Sequence, residues 1–130
     1  MRLNSRFVMI VVAMSCLCMT LGGCLLLLGG AAGAGTVAYV GGALQESVKA
    51  TPEQVVSATN QALTSLKYIT MSSESAGQTG KVTGRTGDDK AVTVEAKQEG
   101  AGISRVSIRI GTFGDEARSR ILMDEIKKKL

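Results

Sequence analysis

Ala91-Val-Thr-Val-Glu-Ala-Lys97 and Ser104-Arg-Val-Ser-Ile-Arg-Ile110 stand on either side of the turn Gly100-Ala101-Gly102. In the first segment Val92, Val94 and Ala96 fall on one face. In the second, Val106, Ile108 and Ile110 point one way and Arg105, Ser107 and Arg109 the other. Alternation this strict marks antiparallel strands with one dry face and one wet face.

Reading outward from this pair, Gly87-Asp88-Asp89 is a turn, because Gly and Asp tolerate positive φ or bond locally. Lys81–Thr86 is then a further strand, and Ser75-Ala76-Gly77-Gln78-Thr79-Gly80 breaks it from another at Tyr68–Ser73. Thr51-Pro52-Glu53-Gln54 starts a helix: Thr51 caps, Pro52 suits the first helical position and Gln54 completes a capping box. Val55, Val56, Thr59, Ala62, Leu63 and Leu66 keep helical spacing, and the helix is expected to end near Lys67. Leu44–Ala50 is a short strand, with Leu44 and Val48 on one face and Glu46 between them. Downstream, Gly114-Asp115-Glu116 starts a last helix, capped by Asp115, with Ala117, Ile121, Leu122, Ile126 and Leu130 as its buried stripe.

A register follows from the turns. If Gly87-Asp88-Asp89 pairs Thr86 with Lys90, Val82 faces Val94 and Lys81 faces Glu95. Placing Lys97 opposite Ile103 sets Val94 beside Val106 and Glu95 beside Arg105. The apolar residues stay on one face, while Lys81, Glu95 and Arg105 form a charged row. Cross-strand pairs of opposite charge contribute roughly 0.2–1 kcal/mol each. The expected architecture is α+β: a small two-layer sandwich in the order β-α-β-β-β-β-α. Its antiparallel sheet of about four to five strands is covered on one face by two helices and preceded by an N-terminal hydrophobic signal or tether.

That N-terminal segment has its own pattern. Arg2 and Arg6 precede an uncharged apolar run from Phe7 to Thr20, and Leu21-Gly22-Gly23-Cys24 follows. A basic start, an apolar run and small residues before a cut are the parts of a secretory signal. The Leu-small-small-Cys ending resembles the lipobox of bacterial lipoproteins, in which the cysteine carries a diacylglyceryl thioether and an acylated amine. Cys24 is therefore the expected lipidation site. Cys16 and Cys18 fit less well, with Met14 and Leu17 where small residues are wanted.

An uncleaved membrane helix is the alternative, since no charge occurs between Phe7 and Gln45 and about 20 apolar residues suffice to cross a bilayer. Gly29 and Gly33, and Ala38 and Gly42, recur four apart, a spacing that lets membrane helices pack closely, so the alternative function is a membrane-embedded assembly component packing through the small-residue-rich segment 25–44. The expected organisation is a signal over 1–23, a tether or membrane segment over 24–43, and a folded domain over 44–130.

Composition excludes much of the usual chemistry. The chain has no His, and its three cysteines all lie in residues 16–24. After cleavage at Cys24 no free thiol or imidazole would remain, which removes Cys–His and Ser–His–Asp sites and ordinary zinc sites. No catalytic residue, cofactor or metal ligand is expected, and the chain is read as no enzyme. Asp88-Asp89 and Asp115-Glu116 are the paired acids, with turn and capping roles at hand. The net charge of +4 includes Arg2 and Arg6, so the rest carries about +2. With no Trp and few aromatics to stack bases, nucleic acid is not an expected partner. Lys127-Lys128-Lys129 complements the dipole at a helix C-terminus. A face bearing Thr83, Thr93, Glu95, Arg105, Ser107 and Arg109 is left for an envelope protein or glycan, and the expected partners are an envelope protein or a second copy of the chain. Arg85, Arg105 and Arg109 could read as an anion site, but acidic neighbours in register favour a solvated face.

The stretch from Val106 through Gly111-Thr-Phe-Gly-Asp to Ile121 resembles the C-terminal part of the bacterial lipoproteins grouped as domain of unknown function 3568. Thr79–Thr86 followed by Val92-Thr-Val-Glu is similar to the same family, as is the capped helix before it. The resemblance implies a small envelope lipoprotein and assigns no activity, cofactor or catalytic residue. Its expected place is the bacterial envelope, anchored through lipid on Cys24 and facing the periplasm. Leu25, in place of an Asp, permits passage to the outer membrane.

Overall fold

The computed structural model describes residues 37–130, and the paired segments of residues 91–110 lie side by side at the centre of its sheet. In chain order the elements are β1 (Ala38–Val40), β2 (Ala43–Val48), α1 (Pro52–Ser65), β3 (Ile69–Ala76), β4 (Thr79–Arg85), β5 (Ala91–Gly100), β6 (Ile103–Ile110) and α2 (Glu116–Lys129). The six strands form one antiparallel sheet in the order β1-β2-β6-β5-β4-β3. The sheet thus has one strand more than the upper end of the expected range.

The added strand is β1, in the stretch expected to be tether or membrane segment. Gly41 and Gly42 both have positive φ, +58° and +82°. A two-residue hairpin of the primed type requires that conformation at both central positions. Ala38 and Gly42, read as a close-packing pair on a membrane helix, therefore lie in strand and turn. Among the described residues no helix is long and apolar enough to cross a membrane.

The dry face carries Leu44 and Val48 of β2, Val82 of β4, Val92, Val94 and Ala96 of β5, and Val106, Ile108 and Ile110 of β6. Helix α1 covers it with Val55, Val56, Ala58, Thr59, Ala62 and Leu63, and α2 with Ser119, Leu122, Met123 and Ile126. The expected stripe on α2 is turned: Ala117, Ile121 and Leu130 face outward, and Ser119 and Met123 face in. The spacing 119, 122, 123, 126 is one helical face. The sheet and α1 both bear on that face, which places Ile121 on the outer side.

Both helix starts follow from local chemistry. The Gln54 amide donates to Thr51 Oγ1 at 3.3 Å and the Thr51 amide to Gln54 Oε1 at 2.9 Å, closing the capping box. The Arg118 amide donates to Asp115 Oδ1 at 3.0 Å. After α1, Lys67 takes a left-handed conformation (φ 58°) and the Tyr68 amide returns to the Leu63 carbonyl at 2.8 Å, ending the helix.

The register of β4 on β5 is the expected one, with Val82 opposite Val94 and Lys81 opposite Glu95. Between β5 and β6 it differs by two residues: Lys97 faces Arg105 and Val94 faces Ile108. The cause is a tight Ala101-Gly102 turn together with an irregularity between Gln98 and Gly100. A two-residue shift keeps every side chain on its face, whereas a shift of one would have inverted the sheet. The ionic partners do change. Arg105 pairs with Glu99 rather than Glu95.

Beneath the helices Glu46, which the sequence places between Leu44 and Val48, points to the dry face. It accepts from Lys127 Nζ of α2 at 3.0 and 3.3 Å. A buried carboxylate without that partner would carry an uncompensated charge.

Candidate functional site

Cys24, the expected lipidation site, lies outside the described residues. The other surfaces singled out from sequence can be located. Thr83, Thr93, Glu95, Arg105, Ser107 and Arg109 all lie on the face of the sheet that the helices leave open. On that face Lys81 Nζ stands 3.0 Å from Glu95 and Ser72 shares a hydrogen bond of 2.8 Å with Thr83. Ser47 donates to Glu99 at 2.9 Å. The three arginines do not converge. Arg85 is held by Asp89 at 2.8 Å, Arg105 by Glu99, and Arg109 donates to the Gly41 carbonyl at 2.7 Å.

The richer surface is one end of the domain, where the β1–β2 turn, the β4–β5 loop and the β6–α2 loop meet. An open hollow of about 750 Å³ lies there, with Arg85 and Lys90 on one side and Gly111 to Glu116 on the other. Its construction begins with two glycines. Gly111 (φ 78°) and Gly114 (φ 85°) bracket Thr112 and Phe113. A Cβ on Gly114 would collide with the Gly42 backbone and the Tyr39 hydroxyl, so the loop is pressed against the β1–β2 turn. Phe113 is left with 91 % of its surface exposed. Across the turn Val40 is 60 % exposed, and the Arg109 guanidinium reaches the turn between them.

The carboxylates at this end are already engaged. Asp88 accepts from Arg118 Nη1 at 2.6 Å and from Thr86 Oγ1 at 2.7 Å. The Arg118 guanidinium, then the Thr86 hydroxyl, hold its carboxyl well below the usual carboxylate range, and the same contact raises Arg118. Asp115 caps α2 and Glu116 pairs with Arg120 at 2.6 Å. Among the described residues no group of three or more His, Cys, Asp or Glu is placed to hold a metal ion. Ser119 Oγ is buried without a hydrogen-bond partner in the packed layer between α2 and the sheet, and it is not among the residues that line the hollow.

Neither Phe113 nor Val40 is a residue that sequence reasoning singles out for function. The available signal was the bracketing Gly111-Thr-Phe-Gly114 beside the Gly41-Gly42 pair, since glycines at both ends of a short loop allow it to project its central side chain.

Fold and surfaces together define a small two-layer α+β domain with an open polar sheet face and one glycine-built apolar tip. The chain belongs to the family described as protein of unknown function (DUF3568), whose model matches residues 7–129. No curated protein matches the sequence.

Proposed function

We propose that this chain is a non-enzymatic envelope lipoprotein, held to a bacterial membrane by acyl chains on Cys24 and presenting its α+β domain to the periplasm. The observation that carries the reading is Leu21-Gly22-Gly23-Cys24 behind a basic start and an uncharged apolar run. One acyl chain gives only marginal membrane binding and two give stable binding, so a fully acylated Cys24 needs no help from the protein to stay anchored. The fold offers the anchored domain an open polar face for an envelope protein or a second copy. The engagement of Asp88, Asp89, Asp115 and Glu116 in ion pairs and a cap supports a role other than carboxylate catalysis. Leu25 favours the outer membrane as the destination.

Replacement of Cys24 by Ser is the direct experiment. Expected are loss of metabolic acyl label, retention of the uncleaved signal and a changed distribution on membrane fractionation. A wild-type protein that reaches the membrane at full size without acyl label would instead assign anchorage to the apolar segment itself.

A further inference from the structure

The apolar tip has a feature that isolated surface hydrophobes lack. Single exposed apolar side chains are ordinary and need no explanation, but Phe113 and Val40 flank one turn and are fixed there by backbone geometry. Gly114 has no room for a side chain against Gly42 and Tyr39, so the loop cannot fold Phe113 inward without breaking that contact. Arg109 is spent on the Gly41 carbonyl and makes no carboxylate contact among the described residues. Ile69, 66 % exposed, opens β3 at the same end of the sheet, and the exposed Lys67 precedes it. The acids of this end, Asp88, Asp89, Asp115 and Glu116, each face an Arg or Lys. What remains uncompensated is apolar surface and positive charge. That pairing suits the boundary between acyl chains and phosphates, where aromatic and cationic side chains concentrate.

The length of chain before the domain says which surface is in reach. Twelve residues, 25–36, separate Cys24 from Val37, and none is charged. Fully extended they span at most roughly 40 Å, while a domain of this size is roughly 30 Å across. A domain so tethered is never farther from the bilayer than roughly 40 Å, about a third more than its own diameter. Contact is then intramolecular in effect, and a small apolar tip suffices where free diffusion would demand a larger one.

We propose that the end formed by the Gly41-Gly42 turn and the Thr112-Phe113 loop is a membrane-docking site. Phe113 and Val40 enter the headgroup–acyl boundary, and Arg109 lies at the level of the lipid phosphates. The proposal rests on the lipid-anchor reading above. Arg109 and Val40 lie at one corner of the open face, so in this pose the rest of that face, around Thr83, Thr93 and Glu95, stays available to a partner.

The chain has no tryptophan, so Phe113→Trp installs a single reporter at a position with 91 % exposure, where it leaves the core untouched. Ile103→Trp, at the opposite end of the sheet, serves as comparison. Each protein, purified from membranes in the form the cell makes, is reconstituted into vesicles of phosphatidylethanolamine and phosphatidylglycerol, with flotation and acyl label recorded on the same sample. The docking proposal expects a blue-shifted emission for Phe113→Trp that brominated lipid quenches, and neither effect for Ile103→Trp. Emission at 113 that stays solvent-like while the protein floats with the vesicles would overturn docking with the anchor intact. A blue shift without quenching by brominated lipid would also overturn it, by assigning the tip to a second copy of the chain. A protein that floats and is quenched at 113 without acyl label would sustain docking and refute the anchor.

Discussion

Asp88 joins a turn to a helix remote in sequence: its carboxylate accepts from Thr86 within its own turn and from Arg118 of α2. Its pKa is depressed below the ordinary 3.8 by these donors. The carboxylate therefore stays charged in the folded chain at pH values where the unfolded chain is protonated. The resulting stabilisation is full above pH 3.8 and is lost as pH falls through the folded value. We expect Asp88→Asn to lower stability at neutral pH and to flatten the acid limb of the stability profile. Denaturant unfolding of both proteins, followed from neutral pH down to about pH 2, checks this; parallel acid limbs would show that Asp88 does not act through its charge. Residues that work locally were readable from sequence. Thr51, Gln54 and Asp115 take the capping roles their spacing implies, because each bond closes within three residues, and Pro52 takes the first helical position. Glu46 was not readable. Its partner Lys127 is 81 positions away, and only the packing of α2 over β2 brings them together.

Helix α1 sets the composition of β4. Gly80 and Gly84 alternate with Val82 on the dry face, and a Cβ at Gly80 would meet Val56 Cγ2 at 2.5 Å and the Pro52 carbonyl at 3.1 Å. The helix thus rests almost on the strand backbone. By sequence alone Gly80 is a breaker, and β3 and β4 were expected to stop short of Ala76 and Thr79. In the fold Gly77-Gln78 is a two-residue turn and Gly80 is a paired strand residue opposite Ala96. Gly80→Ala is expected to cost about 1–3 kcal/mol by overpacking, because the stiff Val56 and a backbone carbonyl must yield. Gly87→Ala, with nothing within 4 Å of the added carbon, is expected to change stability by no more than about 0.5 kcal/mol. Thermal and denaturant unfolding of the two variants side by side reads the difference. Equal costs would mean that helix and strand separate without penalty.

At the scale of the molecule, β1 adds three cross-strand pairs beside β2 and lays Tyr39 against the core and under Gly114. A chain begun at residue 43 would expose the edge of β2 and uncover the β6–α2 loop. Compared with a chain begun at 37, we expect a lower denaturation midpoint, by an amount equivalent to about 1–3 kcal/mol, with a nearly unchanged slope. Fluorescence of a Phe113→Trp reporter would also broaden in the shorter chain, since its loop loses the turn that pins it. Identical midpoints would show that the domain is complete without β1.

The alternation of residues 91–110 and the two capped amphipathic patterns were enough to dictate strands with one dry face, helices to cover it and hence two α+β layers. Those signals are periodic and local, and burial of the apolar face leaves them one way to assemble. Three things waited for the tertiary structure. The first was the sixth strand, built from three residues whose pattern is too short to show period two. The second was the β5–β6 register, which a tight turn and an irregularity shift by two without changing any face. The third was the tip holding Phe113, which exists because Gly114 packs on Gly42 and Tyr39 across more than seventy positions of chain. Each depends on a contact between distant segments, and no local propensity encodes which distant segment will arrive.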